Sequence, residues 1–205
     1  MEIDWTTTLG TAPTIEPVTV DDVKRRGRIS GTDLNADVKQ NITAARLMVE
    51  HDTGRQLITA TWKLYLDRFP VGGGVIRMPY PPLQSVTTIK YYDGDGVQQT
   101  WTASEYRVDK DSEPARITEA YGHTWPATRD MTGAVEVEYL CGYGTAGSNV
   151  PRTLRQAIEV VCTHWIEFPE LTITGTTQSP VALAYESLVR MERVFRYDGP
   201  TDPTH

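Results

Sequence analysis

Leu34-Asn-Ala-Asp-Val38-Lys-Gln-Asn-Ile42-Thr-Ala-Ala45-Arg-Leu-Met-Val49-Glu-His-Asp-Thr-Gly54 is the stretch on which the fold turns. Leu34, Val38, Ile42, Ala45 and Val49 recur at spacings of three and four, which places them on one face of a helix. Thr32 or Asp33 stands where a helix cap is expected, and Gly54 follows where a helix C-terminus favours glycine. Asp37, Lys39, Arg46 and Glu50 fall on the opposite, polar face. An apolar stripe of this length cannot stay in water, so the sequence must supply a second one to cover it.

The second stripe lies a hundred residues downstream. After Pro151, a residue suited to the first helical position, Leu154, Ile158, Val161, Trp165 and Phe168 repeat the same spacing, and Pro169 ends the run. Burying five such side chains is worth about 1.5–3 kcal/mol each, gross. Leu34, Val38, Ile42, Val49, Leu154, Ile158, Val161 and Trp165 are therefore the expected helical core. A shorter helix begins at Thr19, with Asp21 and Asp22 at the positive end of its dipole, and stops near Gly27.

Between the two stripes the period changes to two. Segments 61–69, 75–78, 85–92, 97–101, 106–108, 115–118 and 134–140 read as short strands, with Asp93-Gly-Asp-Gly96 as a hairpin turn. Val135, Val137 and Tyr139 alternate with Glu136 and Glu138, the pattern of antiparallel strands with one wet face. The expected fold class is α+β: a helical bundle formed by the N- and C-terminal helices, with an inserted antiparallel β-rich subdomain. The expected divisions are a mobile or extended N-terminal arm (1–18), a helical core (19–56 and 150–169), a β-rich insert (57–149), and a linker, C-terminal helix and tail (170–205).

The 205 residues are 39% hydrophobic and 23% charged, with a formal net charge of −7. A protein that gripped DNA phosphates would be basic, so the balance points to solubility rather than nucleic-acid affinity. Cys141 and Cys162 define neither a disulfide framework nor a zinc site and are expected to be reduced and buried. The first eight residues lack the pattern of a signal peptide, and no stretch approaches the ~20 apolar residues of a membrane span.

The motifs of the kind that carries chemistry fail on context. Gly142-Tyr-Gly144-Thr-Ala-Gly147 matches a dinucleotide-binding turn, but Pro151 starts the helix beyond the third glycine and the preceding strand alternates. Gly72-Gly73-Gly74 lacks the Lys-Ser/Thr of a phosphate loop. Asp93 and Asp95 lack the further oxygen donors of a calcium site. His51, beside Asp52, and His164, near Cys162, lack metal-ligand spacing. The expectation is no catalytic, cofactor-binding or metal-ligating residue, and no enzyme. Lys24-Arg25-Arg26 and Arg28 read as a solvated helix end or as a phosphate contact.

Several phrases, in order, resemble the head–tail connector (adaptor) family of tailed bacteriophages. Ala44 to Arg55, ending His-Asp-Thr-Gly-Arg, is similar to that family's second helix. Thr61-Trp62 and Leu66-Asp-Arg-Phe-Pro70 are similar to its first strand, and Met78-Pro-Tyr-Pro-Pro-Leu-Gln-Ser-Val86 to its hairpin. Gly142-Tyr-Gly144, Val150-Pro-Arg-Thr-Leu154 and His164-Trp165 resemble the approach to, and body of, its third long helix. The resemblance covers about residues 18–169.

It implies a structural virion protein located at the head–tail interface and made in the host cytoplasm. It implies a homo-oligomeric ring, a dodecamer when assembled, below the portal. The ring would extend the channel through which genomic DNA passes without sequence-specific binding. Portal protein and tail or stopper protein are the implied partners; membrane and cofactor are not. A head-completion or stopper role, or a small nucleotide-binding enzyme using the Gly142–Gly147 loop, are the alternative readings. By position, the C-terminal helix carries the expected portal-docking set, Tyr185, Leu188, Met191 and Phe195. A flexible linker at 170–180 would let that helix leave its own core. Glu136 and Glu138 are candidates for an acidic channel wall.

Overall fold

A computed structural model of the chain describes residues 4–168 and 180–194. Among them are four α-helices and eight strands, every strand pairing antiparallel: an α+β fold. The chain divides into two compact units. Of the described residues, one holds 4–13, Thr59–Tyr143 and Val194; the other holds Thr14–Ile58, 144–168 and 180–193.

The first unit holds all the strands. β1 (Trp5–Thr11), β2 (Ala60–Leu66), β8 (Val135–Cys141), β4 (Leu83–Tyr92) and β5 (Gln98–Trp101) form a five-stranded sheet in the order β1-β2-β8-β4-β5. β3 (Ile76–Arg77), β7 (Arg116–Glu119) and β6 (Tyr106–Asp109) form a smaller sheet in the order β3-β7-β6. Alternation sets the register of the larger sheet: Leu64 stands opposite Val137 and Val137 opposite Ile89, all fully buried. Ile76 and Ile117 from the smaller sheet, with Met78 and Ala115 next to its strands, complete the same apolar core. Its centre is aromatic. Phe69 stacks on Trp125 at 4.9 Å, and Trp101 packs on Trp125 at 4.6 Å and on Tyr106 at 5.3 Å.

Within the arm expected to be mobile or extended, residues 5–11 are extended: they are β1, paired with β2 from Trp5↔Leu66 to Thr11↔Thr61. The register shifts between Leu9 and Thr11, where Gly10 lies close to the Thr61 carbonyl. In the hairpin that resembled the connector family, Tyr80 adopts φ +57°. Its ring lies 4.3 Å from Trp62, and its hydroxyl lies within hydrogen-bond distance of Thr7 at 3.3 Å.

The second unit is helical: α1 (Val20–Gly27), α2 (Asn35–Thr53), α3 (Arg152–Glu167) and α4 (Pro180–Glu192). α3 packs against α1, α2 and α4. Val38, Ile42, Val49, Leu154, Ile158 and Val161 are buried in it, as their spacing predicts. Leu34 is a correction: it is the cap residue of α2 and 42% exposed, and no side chain caps that helix. Thr32 and Asp33 do not serve, because the turn is tied instead by Lys24, whose ammonium donates to the Gly31 carbonyl and to Asn35. α1 begins as expected, with Thr19 and Asp22 in a reciprocal capping box. α2 ends on Gly54 at φ +69°. Pro151 sits one residue earlier than expected, as the cap of α3 rather than its first helical residue.

Candidate interaction surface of the helical unit

α4 lies on its own unit, and four hydrogen bonds fix it there. Tyr185 donates its hydroxyl to the Asp52 carboxylate at 2.7 Å, and Arg193 donates to the Asp52 backbone carbonyl at 2.9 Å. Arg55 donates to the Glu192 carbonyl at 2.6 Å, and Thr153 to the Glu192 carboxylate at 2.7 Å. Burial first, then the Asp52 carboxylate, pushes the Tyr185 hydroxyl pKa far up, so it stays a donor. Val189 is buried beside it at 1% exposure.

This arrangement splits the expected docking set. Tyr185 faces inward at 9% exposure, Leu188 is half-buried, and Met191 is 68% exposed. Phe195 lies outside the described residues. The turn of the helix explains the split: Tyr185 and Val189 are four residues apart and share the inward face, while Leu183 and Met191 come round to the outside. The i,i+4 pair Tyr185–Val189 was the available signal for that inward face; the apolar types of Leu188 and Met191 masked it.

Two open grooves flank α3. One, of about 470 Å³, is bordered by Met48, Val161, His164, Trp165, Val181 and Tyr185. The other, of about 530 Å³, is bordered by Leu34, Asn41, Trp165 and Phe168. Trp165 lines both, which is why it is half-buried rather than part of a closed core. His164 packs its ring 5.2 Å from Phe168, and its Nδ1 is buried with no hydrogen-bond partner among the described residues.

The unit is also held by buried charge. Glu50 accepts from Arg46 at 2.7 Å, from Gln56 at 2.7 Å and from the Leu57 amide at 3.0 Å. Arg46 also donates to Glu16 at 2.8 Å. Burial pushes the Glu50 carboxyl up, against the pull of Arg46. A second buried acid, Glu159, pairs with Arg152 at 2.5 Å and with Arg26 at 3.7 Å. Spacing places Glu50 on the polar face of its helix and does not single out Glu159; the burial of both is a departure from the solvated polar face that spacing implies.

These contacts settle what the charged motifs do locally. In the Lys24–Arg28 cluster, Lys24 holds the turn before α2, Arg25 pairs with Asp22 at 3.3 Å and Arg26 reaches Glu159. Arg28 is the left-handed residue ending α1, at φ +52°. Neither Cys141 nor Cys162 is in a disulfide and both are buried, and burial pushes the Cys162 thiol up to about 12. A Cβ at Gly147 would lie 2.7 Å from the Pro17 carbonyl oxygen, so the chain's own backbone fills the space beside that glycine. His51 is exposed next to Asp52.

In the β unit, Glu136 and Glu138 share Lys63 at 2.9 and 3.8 Å, which offsets the acidic wall proposed for them. Asp93 accepts from Gln99 at 2.8 Å and from the Val97 and Asp95 amides at 2.9 and 3.1 Å, which together hold its carboxyl below the usual range. These are the bonds of a turn. Among the described residues no cluster of three or more His, Cys, Asp or Glu is placed to hold a metal ion, and no helix is long and apolar enough to cross a membrane.

No protein-family model matches the sequence, and no curated protein matches it. Solved structures do share its fold. A chain from the neck of an empty gene transfer agent particle, computed with C6 symmetry, aligns with a TM-score of 0.76 at 22% identity; the match covers 96% of this chain and 100% of that one. A chain from the virion of a native gene transfer agent particle aligns at 0.73 and 23% identity, covering 93% and 96%. A chain from the neck of the native particle, computed with C12 symmetry, aligns at 0.69 and 23% identity, covering 95% and 100%. Over most of its length, this chain has the fold of a chain from the neck of a gene transfer agent particle.

Proposed function

We propose that this chain is a structural protein of the neck of a tailed-phage-like particle. In this reading it is a head–tail adaptor that assembles as a ring under the portal, extends the DNA channel and docks tail or stopper protein. The observation that carries the reading is the likeness to gene transfer agent neck chains over 96% and 95% of this chain. The ordered connector-like phrases between residues 18 and 169 support it independently. The role is architectural rather than catalytic, and the particle neck is its location.

Portal docking is assigned to the outer face of the C-terminal helix. Leu188 and Met191 are the contacts, while Tyr185 holds the helix to its own unit. The test is co-sedimentation with the portal protein of the same particle. The full chain should co-sediment, and a chain truncated before Glu170 should remain folded but stay in the supernatant. Met191→Glu, which changes only an exposed side chain, should weaken the association at least tenfold. A full chain that ignores portal would overturn the adaptor reading.

A further inference from the structure

Proteins guard the open edges of their sheets with charged side chains, because an unguarded edge recruits other strands. The smaller sheet follows that rule: its edge strands β3 and β6 carry Arg77, and Arg107 with Asp109. The larger sheet inverts it. Its inner strands carry Lys63, Lys90, Glu136 and Glu138, whereas its two edges, Trp5–Thr11 and Gln98–Trp101, contain no charged residue at all. Of the eight described strands these are the only two without one, and both lie open: six of the seven residues of β1 and three of the four of β5 are exposed.

β1 also carries apolar surface in excess of what its own unit covers. Trp5 and Leu9 stand opposite Leu66 and Trp62, on the face that forms the core, yet they are 38% and 47% exposed. At the far edge, Trp101 shares that face through its pairing with Ile89. Each edge thus lacks what the other supplies: a row of backbone partners, and a continuation of the core face.

We infer that β1 of one copy of this chain pairs with β5 of the next, so that the two uncharged edges form the subunit contact of the ring. Because every neighbouring pair in the sheet is antiparallel, the two edges of five strands run in the same direction. A copy added by rotation about an axis along the strands therefore presents its edge parallel to its neighbour's. The two surfaces differ, so the contact is heterologous and closes by rotation, as a ring requires. A β1–β1 contact would be two-fold and would stop at a dimer.

This inference rests on the ring reading above, and the experiment separates the two. Thr8 and Thr100 are exposed and lie on the polar face of the sheet, opposite Lys63 and Lys90. The native cysteines are buried. The double variant Thr8→Cys/Thr100→Cys, mixed with portal and treated with a short bismaleimide, should give a ladder of covalent multimers on a denaturing gel. Each single variant should give at least tenfold less product, and the pair Thr6→Cys/Gln98→Cys should repeat the ladder if the first pair perturbs folding. Dimers from Thr8→Cys alone would overturn the assignment in favour of two-fold pairing. Rings seen by electron microscopy without a ladder from either pair would overturn it while leaving the neck reading standing. Absence of rings as well as ladders would remove both.

Discussion

The two units of this protein solve the problem of burial in opposite ways. All the buried polar and charged residues among the described ones, Arg46, Thr53, Arg55, Gln56 and Glu159, belong to the helical unit. The core of the β unit is aliphatic and aromatic throughout, and its ion pairs sit at the surface. The difference reflects geometry. Two sheets with alternating faces can close over each other with side chains alone. Four helices of unequal length, one of them reached by a long excursion of the chain, leave their orientation less defined. Directional pairs such as Glu16–Arg46–Glu50 and Arg26–Glu159–Arg152 specify which helix faces meet.

That contrast fails if the buried charges can be removed cheaply. Arg46→Met should be the most damaging single change, at about 3–5 kcal/mol, because it strands Glu50 and Glu16 without their cation. Urea unfolding followed at 222 nm would measure it, and a loss below about 1 kcal/mol would mean the acids hydrate freely. In the β unit the equivalent damage comes from volume. Leu64→Ala removes a fully buried side chain from the sheet-to-sheet core and should cost about 3 kcal/mol, read from tryptophan emission. Four of the five tryptophans lie in that unit, so the signal reports chiefly on it.

How much of this contrast the sequence carried depends on the kind of evidence each residue offers. Val38, Ile42 and Val49, and their partners Leu154 and Ile158, announced themselves by periodicity and are fully buried or nearly so. β8 did the same through Val135, Val137 and Tyr139. β1 did not, because Trp-Thr-Thr-Thr-Leu-Gly-Thr has neither a buried face nor alternation. Its run of threonines, which favour extended chain, was the only trace. Buried charge left no trace at all: Glu50 and Glu159 occupy helix positions where an acid is ordinarily solvated, and Glu50's partner Glu16–Arg46 pair spans thirty residues of chain. The grooves beside Trp165 were hidden for a related reason. A stripe shows which residues prefer burial, whereas the space left between three helices depends on how they cross.

A smaller effect tests how α4 is held. Tyr185→Phe deletes one part-buried hydrogen bond to a carboxylate and should cost about 1.5 kcal/mol. Hydrogen exchange of the α4 amides should rise more than that of α2. If portal binding strengthens in the same variant, the Tyr185–Asp52 bond restrains the helix that the adaptor reading assigns to docking.

The smallest effect concerns the two carboxylates whose pKa values move in opposite directions. Bonds from the Thr19 amide and hydroxyl hold the Asp22 carboxyl below its ordinary 3.8, whereas burial lifts Glu50 above 4.5. The consequences for stability differ in sign. Asp22 contributes stability that is complete above its unfolded value and disappears as pH falls through the lowered one. Glu50 does the reverse: its ionisation costs stability as pH rises through its raised value, and acid relieves that cost. Thr19→Ala removes the cap and should lower stability by about 1 kcal/mol near neutrality. Its deficit should shrink as the pH falls from about 4 through Asp22's lowered value, because the protonated carboxyl accepts less strongly from the Thr19 hydroxyl that the variant lacks. A deficit constant from pH 7 to pH 3 would show that the threonine acts through packing, and that the reciprocal box at the start of α1 carries none of the acid sensitivity assigned to it.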